Sequence, residues 1–130
     1  MTTTIKVEVA PGDLIDKITI LEIKLERVQD SEKLKHIQVE IEALYQARDE
    51  NITPSSALVG FTGELKTINE ALWKIEDDIR DCERNGHFDE KFVQLARSVY
   101  INNDKRANLK RQINILLGAR ITEEKSYTSY

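Results

Sequence analysis

Apolar and polar residues alternate near the N-terminus, which is the pattern of a half-buried β-strand. Within residues 4–9, Ile5, Val7 and Val9 would share one face, with the polar residues between them on the other. Because one strand cannot satisfy its own backbone hydrogen bonds, we expect this short N-terminal β arm to pair with residues 120–123 or with the same strand of another subunit. The alternative is a frayed terminus.

After Pro11-Gly12, the apolar spacing becomes helical and predicts four helices. They cover about residues 13–29, 31–49, 54–85 and 89–117, and a polar and aromatic tail follows over residues 118–130. Because the turn between the last two helices is short, we expect them to form a long C-terminal antiparallel hairpin. The sequence therefore predicts an all-α, four-helix arrangement.

The third predicted helix carries the strongest pattern in the chain. Its apolar residues follow one another at alternating spacings of three and four, which is typical of a coiled coil. They are Leu58, Phe61, Leu65, Ile68, Leu72, Ile75, Ile79 and Cys82.

The first predicted helix has apolar residues on two faces. Leu14, Ile18 and Leu21 begin one apolar stripe, and a second group of isoleucines lies on a different face of the same helix. Such a helix is either central in a bundle or shared between subunits. Because a second apolar face would be exposed on a monomer, we expect a homo-oligomer, most simply a dimer. The predicted interface residues are Ile15, Ile20 and Ile23.

Composition narrows the class of protein. The chain has 130 residues and a formal net charge of −4, so we expect one helical domain over residues 1–130. This acidic balance disfavours nucleic acid, because phosphate binding needs an excess of Lys and Arg. One cysteine excludes an internal disulfide and fits a reducing compartment, and no stretch is apolar enough for a membrane span. We expect a cytoplasmic protein that binds neither nucleic acid nor membrane.

The last predicted helix places polar residues where its apolar stripe should continue. Between Val99 and Ile113, the stripe passes through Asn102 or Asn103 and then Arg106. Burying such groups without partners is unfavourable. In a structural interpretation, they fix helix register or oligomeric state. In a functional one, the bundle opens there and Arg106 binds a carboxylate or phosphate through two hydrogen bonds.

Polar stripes on the last two helices point to the same region. If they face each other, they would line a groove with one tryptophan wall, suited to an anionic metabolite. The alternative is a solvated face of weak ion pairs. The candidate ligand-binding residues are Arg97, Tyr100, Asp104, Arg106, Trp73 and Glu76.

Residues that commonly bind metals are scattered along the chain. His36 and His87 are isolated, and Cys82 lies on the apolar stripe. The acidic run over residues 76–83 lacks the Glu-x-x-His pair of helical metal sites, and no glycine-rich phosphate loop occurs. We expect no metal and no cofactor.

Four stretches stand together in a distinctive order. They begin Pro11-Gly12-Asp13, Asn69-Glu70-Ala71, Leu95-Ala96-Arg97 and Glu123-Glu124-Lys125. With them, nearly the whole chain resembles a family of small uncharacterised proteins, a domain of unknown function seen mainly in bacteria and in some phages. The resemblance implies a complete, stand-alone protein and brings no established activity.

Two classes of function remain. The first is a non-enzymatic assembly module, a helical oligomer that presents charged faces to a protein partner, which the long apolar stripe favours. The second is an enzyme or binding protein for an anionic metabolite. The first helix is similar at its start to that of the all-helical chorismate mutases, although Pro11-Gly12 replaces the arginine that those enzymes carry there. We favour the assembly module and assign no catalytic residue.

Overall fold

The computed structural model describes residues 2–130, which form four helices joined by short turns. The helices are α1 (Pro11–Arg27), α2 (Ser31–Asn51), α3 (Ser56–Asn85) and α4 (Glu90–Leu116). No strand forms within residues 2–130, so the predicted all-α fold class is confirmed. α3 and α4 pack against each other, and their antiparallel arrangement as a hairpin stays a prediction.

Local sequence explains where the helices begin and end. Asp30, Ser55 and Asp89 each accept a hydrogen bond from a backbone N–H two or three residues further on, which caps α2, α3 and α4. α1 begins at Pro11 instead, since proline at the first helical position loses no hydrogen bond. α3 ends against Gly86, whose φ of +66° is a left-handed conformation that glycine adopts without strain.

α1 is the central helix, because it contacts α2, α3 and α4. On α1, Ile15 and Ile23 are 2 % and 1 % exposed, and Ile20 is half-buried. The predicted interface residues Ile15 and Ile23 are therefore covered by the chain's own helices and are unavailable to a second subunit. A helix that is apolar on two faces here lies in the middle of a bundle. The main core cluster consists of Ile15, Leu58, Leu65, Leu109 and Ile113.

The predicted β arm over residues 4–9 does not form. This segment is extended coil, and Ile5, Val7 and Val9 are 82 %, 72 % and 54 % exposed. A strand needs a neighbouring strand for its backbone hydrogen bonds, and residues 2–130 supply none. The prediction was wrong because alternation indicates a segment with one apolar and one polar face, but it does not show that a neighbouring strand is present.

α1 and α4 approach each other closely at Gly12. The Gly12 N–H donates to Asn114 Oδ1 at 2.7 Å, and a Cβ atom at this position would collide with the carbonyl oxygen of Lys110. Only glycine permits this approach. It brings the next turn of α1, with Asp16, within reach of α4.

Charged pairs hold the C-terminal tail against α4. Lys110 binds Asp13 at 2.9 Å and Glu123 at 3.0 Å, and Arg111 binds Glu124 at 2.7 Å. The hydrogen bond from Lys110, together with its positive charge, lowers the pKa of Glu123 below its ordinary value. Burial alone would lower the pKa of Lys110, but its hydrogen bonds to Asp13 and Glu123 outweigh this effect and raise it.

Candidate functional site

A buried carboxylate, Asp16, connects three helices. Asp16 is 4 % exposed on α1. Its Oδ1 accepts hydrogen bonds from Arg106 Nε of α4 and from Asn69 Nδ2 of α3, both at 2.9 Å. Arg106 Nη2 also donates to the second carboxylate oxygen, so the ion pair is bidentate.

The neighbouring threonine completes this polar network. Thr19 is fully buried one turn after Asp16, and its hydroxyl donates to the Asp16 carbonyl oxygen at 2.7 Å. The same hydroxyl oxygen accepts from Asn69 Nδ2 at 2.9 Å. Among residues 2–130, no buried side-chain nitrogen or oxygen is left without a hydrogen-bond partner. The network is therefore satisfied, which a polar group in a protein interior requires.

The ion pair fixes both the charge and the position of Arg106. The hydrogen bond to Asp16 raises the pKa of the Arg106 guanidinium, against the opposing effect of burial. The guanidinium has five N–H groups, and its two hydrogen bonds go to Asp16, so N–H groups remain for another acceptor. Arg106 is thus a positively charged hydrogen-bond donor that Asp16 keeps in a fixed position.

A groove of about 530 Å³ opens beside this network, between α1, α3 and α4. We call it the polar groove. Its floor is partly apolar, and Trp73 forms part of its wall. Its lining residues are Ile20, Ile23, Asn69, Leu72, Trp73, Glu76, Asp77, Arg80, Asn103 and Arg106.

Three of the candidate ligand-binding residues line the polar groove: Trp73, Glu76 and Arg106. Trp73 is half-buried, and its ring lies 5.9 Å from the guanidinium carbon of Arg27. Glu76 forms an ion pair with Arg80 one turn later on α3. The structure therefore brings together residues from α3 and α4 that share this groove.

The other three candidates lie outside the polar groove. Arg97 donates to Gln94 at 3.1 Å on its own helix. The ring of Tyr100 meets that of Tyr130 edge to face, with centroids 5.3 Å apart. A hydrogen bond with Asp104 raises the pKa of the Tyr130 hydroxyl. Tyr100 and Asp104 thus contact the C-terminal residue.

Sequence reasoning missed Asp16 as a site residue. A signal for it exists, because Asp16 lies on the helical stripe that continues through Ile20 and Ile23 at spacings of four and three. A carboxylate on an apolar stripe is costly to bury unless a cation pairs with it. Asp16 on the first helix is therefore a charged residue on an apolar stripe, as Arg106 is on the last helix.

Neither a metal-binding cluster nor a membrane-spanning helix occurs within residues 2–130. No three His, Cys, Asp or Glu side chains within this range converge so that they could hold a metal ion. Within the same range, every helix is too short or too polar to cross a membrane.

Comparison with known proteins places the chain in a family. No curated protein and no solved structure matches it. A family model described as a family of unknown function, DUF6165, matches residues 5–130, nearly the whole chain. The chain belongs to the DUF6165 family of unknown function.

Proposed function

We propose that this protein binds a small organic molecule in the polar groove. One observation carries the proposal: the groove is lined by Arg106, a guanidinium that the buried Asp16 holds in place while leaving donors free. Preorganised donors bind ligands better than mobile ones, because less conformational freedom is lost on binding.

The groove has the size and composition of a small-molecule site. Its volume of about 530 Å³ falls within the usual range of roughly 300–1,000 Å³. Leu72 and Trp73 offer apolar surface, and Asn103 and Arg106 offer donors. Asn103 is half-buried, and within residues 2–130 its side chain makes no hydrogen bond. It is therefore available to a ligand.

The buried ion pair also favours a binding role over a purely stabilising one. Replacing a buried ion pair by well-packed apolar residues is often neutral or stabilising, so such a pair is weak evidence for stability. Here the Asp16–Arg106 pair lies beside the groove, and Arg106 lines it. In this proposal, the ion pair serves to orient the Arg106 guanidinium for a ligand in the groove.

Titration of Trp73 fluorescence with a fragment panel tests this function. Trp73 is the only tryptophan, so a ligand in the groove changes its emission. The panel contains flat aromatic and branched aliphatic compounds, each with one polar or charged group. We expect some of them to shift the emission and to raise the melting temperature together.

Two adjacent asparagines provide a matched pair of variants. Asn103 lines the groove, whereas Asn102 Nδ2 donates to the Ser98 carbonyl oxygen at 2.8 Å on its own helix. We expect Asn103→Ala to weaken the best fragment about two- to tenfold, the value of one hydrogen bond, and Asn102→Ala to leave its affinity unchanged. If no fragment changes emission or melting temperature, the proposed function is wrong.

A second function, oligomeric assembly, is favoured by one observation. Ile5, Val7 and Val9 are exposed in the N-terminal coil, and an exposed apolar group is typical of a contact with another chain. In this function, a homodimer covers the apolar residues of the N-terminal coil. We also propose that α3 and α4 of each subunit form the antiparallel hairpin expected from the sequence. Native mass spectrometry of Val7→Ser tests it: a dimer that persists unchanged, or a monomeric parent protein, would contradict it.

A further inference from the structure

Four charged residues line the polar groove, and three of them are already paired. Arg106 binds Asp16, and Arg80 binds Glu76. Asp77 forms no ion pair with any other residue of the range 2–130. Its carboxylate is exposed at the groove, one residue after Glu76.

A paired arginine attracts an anion less strongly than an unpaired one. An anion at the free edge of Arg106 is attracted by the nearby guanidinium charge and repelled by the more distant Asp16 carboxylate. Because the Coulomb interaction falls with the inverse of distance, the repulsion from Asp16 offsets part of the attraction to Arg106. Glu76 reduces the effect of Arg80 in the same way.

A third cation near the groove is also compensated. Arg27 lies over the Trp73 ring, and its Nη2 is 3.8 Å from a carboxylate oxygen of Glu70. With each arginine beside a carboxylate, the groove and its immediate neighbours carry the uncompensated negative charge of Asp77. Charge complementarity then favours a cationic ligand.

We propose that the polar groove takes a primary amine with an aromatic or branched aliphatic body, whose ammonium group binds Asp77 and whose body packs against Trp73. This inference rests on the proposed function and names the class of ligand. An ammonium group donates three hydrogen bonds and accepts none, which matches the Asp77 carboxylate. A hydroxyl or carbonyl oxygen elsewhere on the same ligand would accept from the free donors of Arg106 and Asn103, which also line the groove. The body packs on the apolar surface that Ile20 and Leu72 share with Trp73.

Three probes of nearly the same shape test the charge preference: 2-phenylethylamine, 2-phenylethanol and 3-phenylpropionate. They carry a cationic, a neutral and an anionic group on one phenyl body, and binding is read from Trp73 emission and by calorimetry. For a contact at an exposed carboxylate, we expect the amine to bind about threefold more tightly than the alcohol and about tenfold more tightly than the anion. High salt should weaken the binding of the amine and leave the affinity for the alcohol unchanged.

Two neighbouring carboxylates on α3 separate the effect of Asp77 from general charge. Asp77→Asn should remove the preference for the amine over the alcohol. Asp78→Asn should keep it, because Asp78 binds Lys74 at 3.0 Å and does not line the groove. Both changes keep the side-chain shape on an exposed or half-exposed helical position, so the variants should fold.

The outcomes distinguish this inference from the proposed function. If the alcohol or the anion binds as tightly as the amine, or if Asp77→Asn keeps the preference, the charge inference is overturned while small-molecule binding stands. If none of the three probes changes Trp73 emission but other fragments of the panel do, the ligand class is wrong and the groove is still a site. If no compound of either set binds, both proposals fail.

Discussion

Replacing Arg106 by methionine removes the partner of a buried carboxylate and should strongly destabilise the fold. The Asp16 side chain is 6 % exposed and that of Arg106 is 29 % exposed. Removing one partner of a buried pair costs about 3–5 kcal/mol, because the other charge stays buried without compensation. Since water reaches part of Arg106, we reduce the expected loss in unfolding free energy to about 2–4 kcal/mol.

Arg111 provides the matched control on the same helix. It also binds a carboxylate, that of Glu124, but the two side chains are 50 % and 69 % exposed. Exposed pairs contribute about 0–1 kcal/mol, so Arg111→Met should lower the unfolding free energy by less than about 1 kcal/mol. The two variants make the same chemical change and differ in burial.

Urea unfolding followed by helical circular dichroism measures both losses. Equal slopes of the transitions would show that the variants unfold over the same surface. The double variant Asp16→Asn/Arg106→Met removes both charges and should recover part of the stability lost in Arg106→Met, with a coupling of about 1–3 kcal/mol. Equal losses for Arg106→Met and Arg111→Met, or no recovery in the double variant, would show that burial of the charge does not set the loss of stability.

Two further predictions follow from the packing and from the tail. Gly12→Ala should destabilise by about 1–3 kcal/mol, because its Cβ meets the Lys110 carbonyl oxygen; Gly60→Ala, with open space around it, should be neutral or stabilising in a denaturant titration. Because Glu123 has a lowered pKa in the folded protein, its contribution to tail docking is present above its ordinary pKa of 4.5 and is lost as pH falls through the lower folded value. NMR titration of the Glu123 carboxyl should give a midpoint below 4.5 that returns towards 4.5 in Lys110→Met, and an unchanged midpoint in this variant would show that Lys110 is not the cause.

Periodicity singled out several residues of α3 and α4 that line the polar groove. Arg106 stood out because a charged residue interrupts an apolar stripe, and Trp73 and Glu76 because they flank the neighbouring stripe. All three line the polar groove. Arg97, Tyr100 and Asp104 do not, although they share the predicted side of the last helix with one another. A helical pattern gives the angle of a side chain around its own axis, but not which neighbour occupies that angle.

Local sequence is enough to make this protein helical, because the spacing of apolar residues and the capping residues Asp30, Ser55 and Asp89 act over a few residues. Helix packing is what buries Ile15 and Ile23 within one chain and what pairs Asp16 with Arg106, 90 positions away. The N-terminal alternation shows the same division, since a strand needs a partner that local pattern cannot supply. Long-range contacts depend on how the helices pack, and that arrangement is what places a charged group beside the groove.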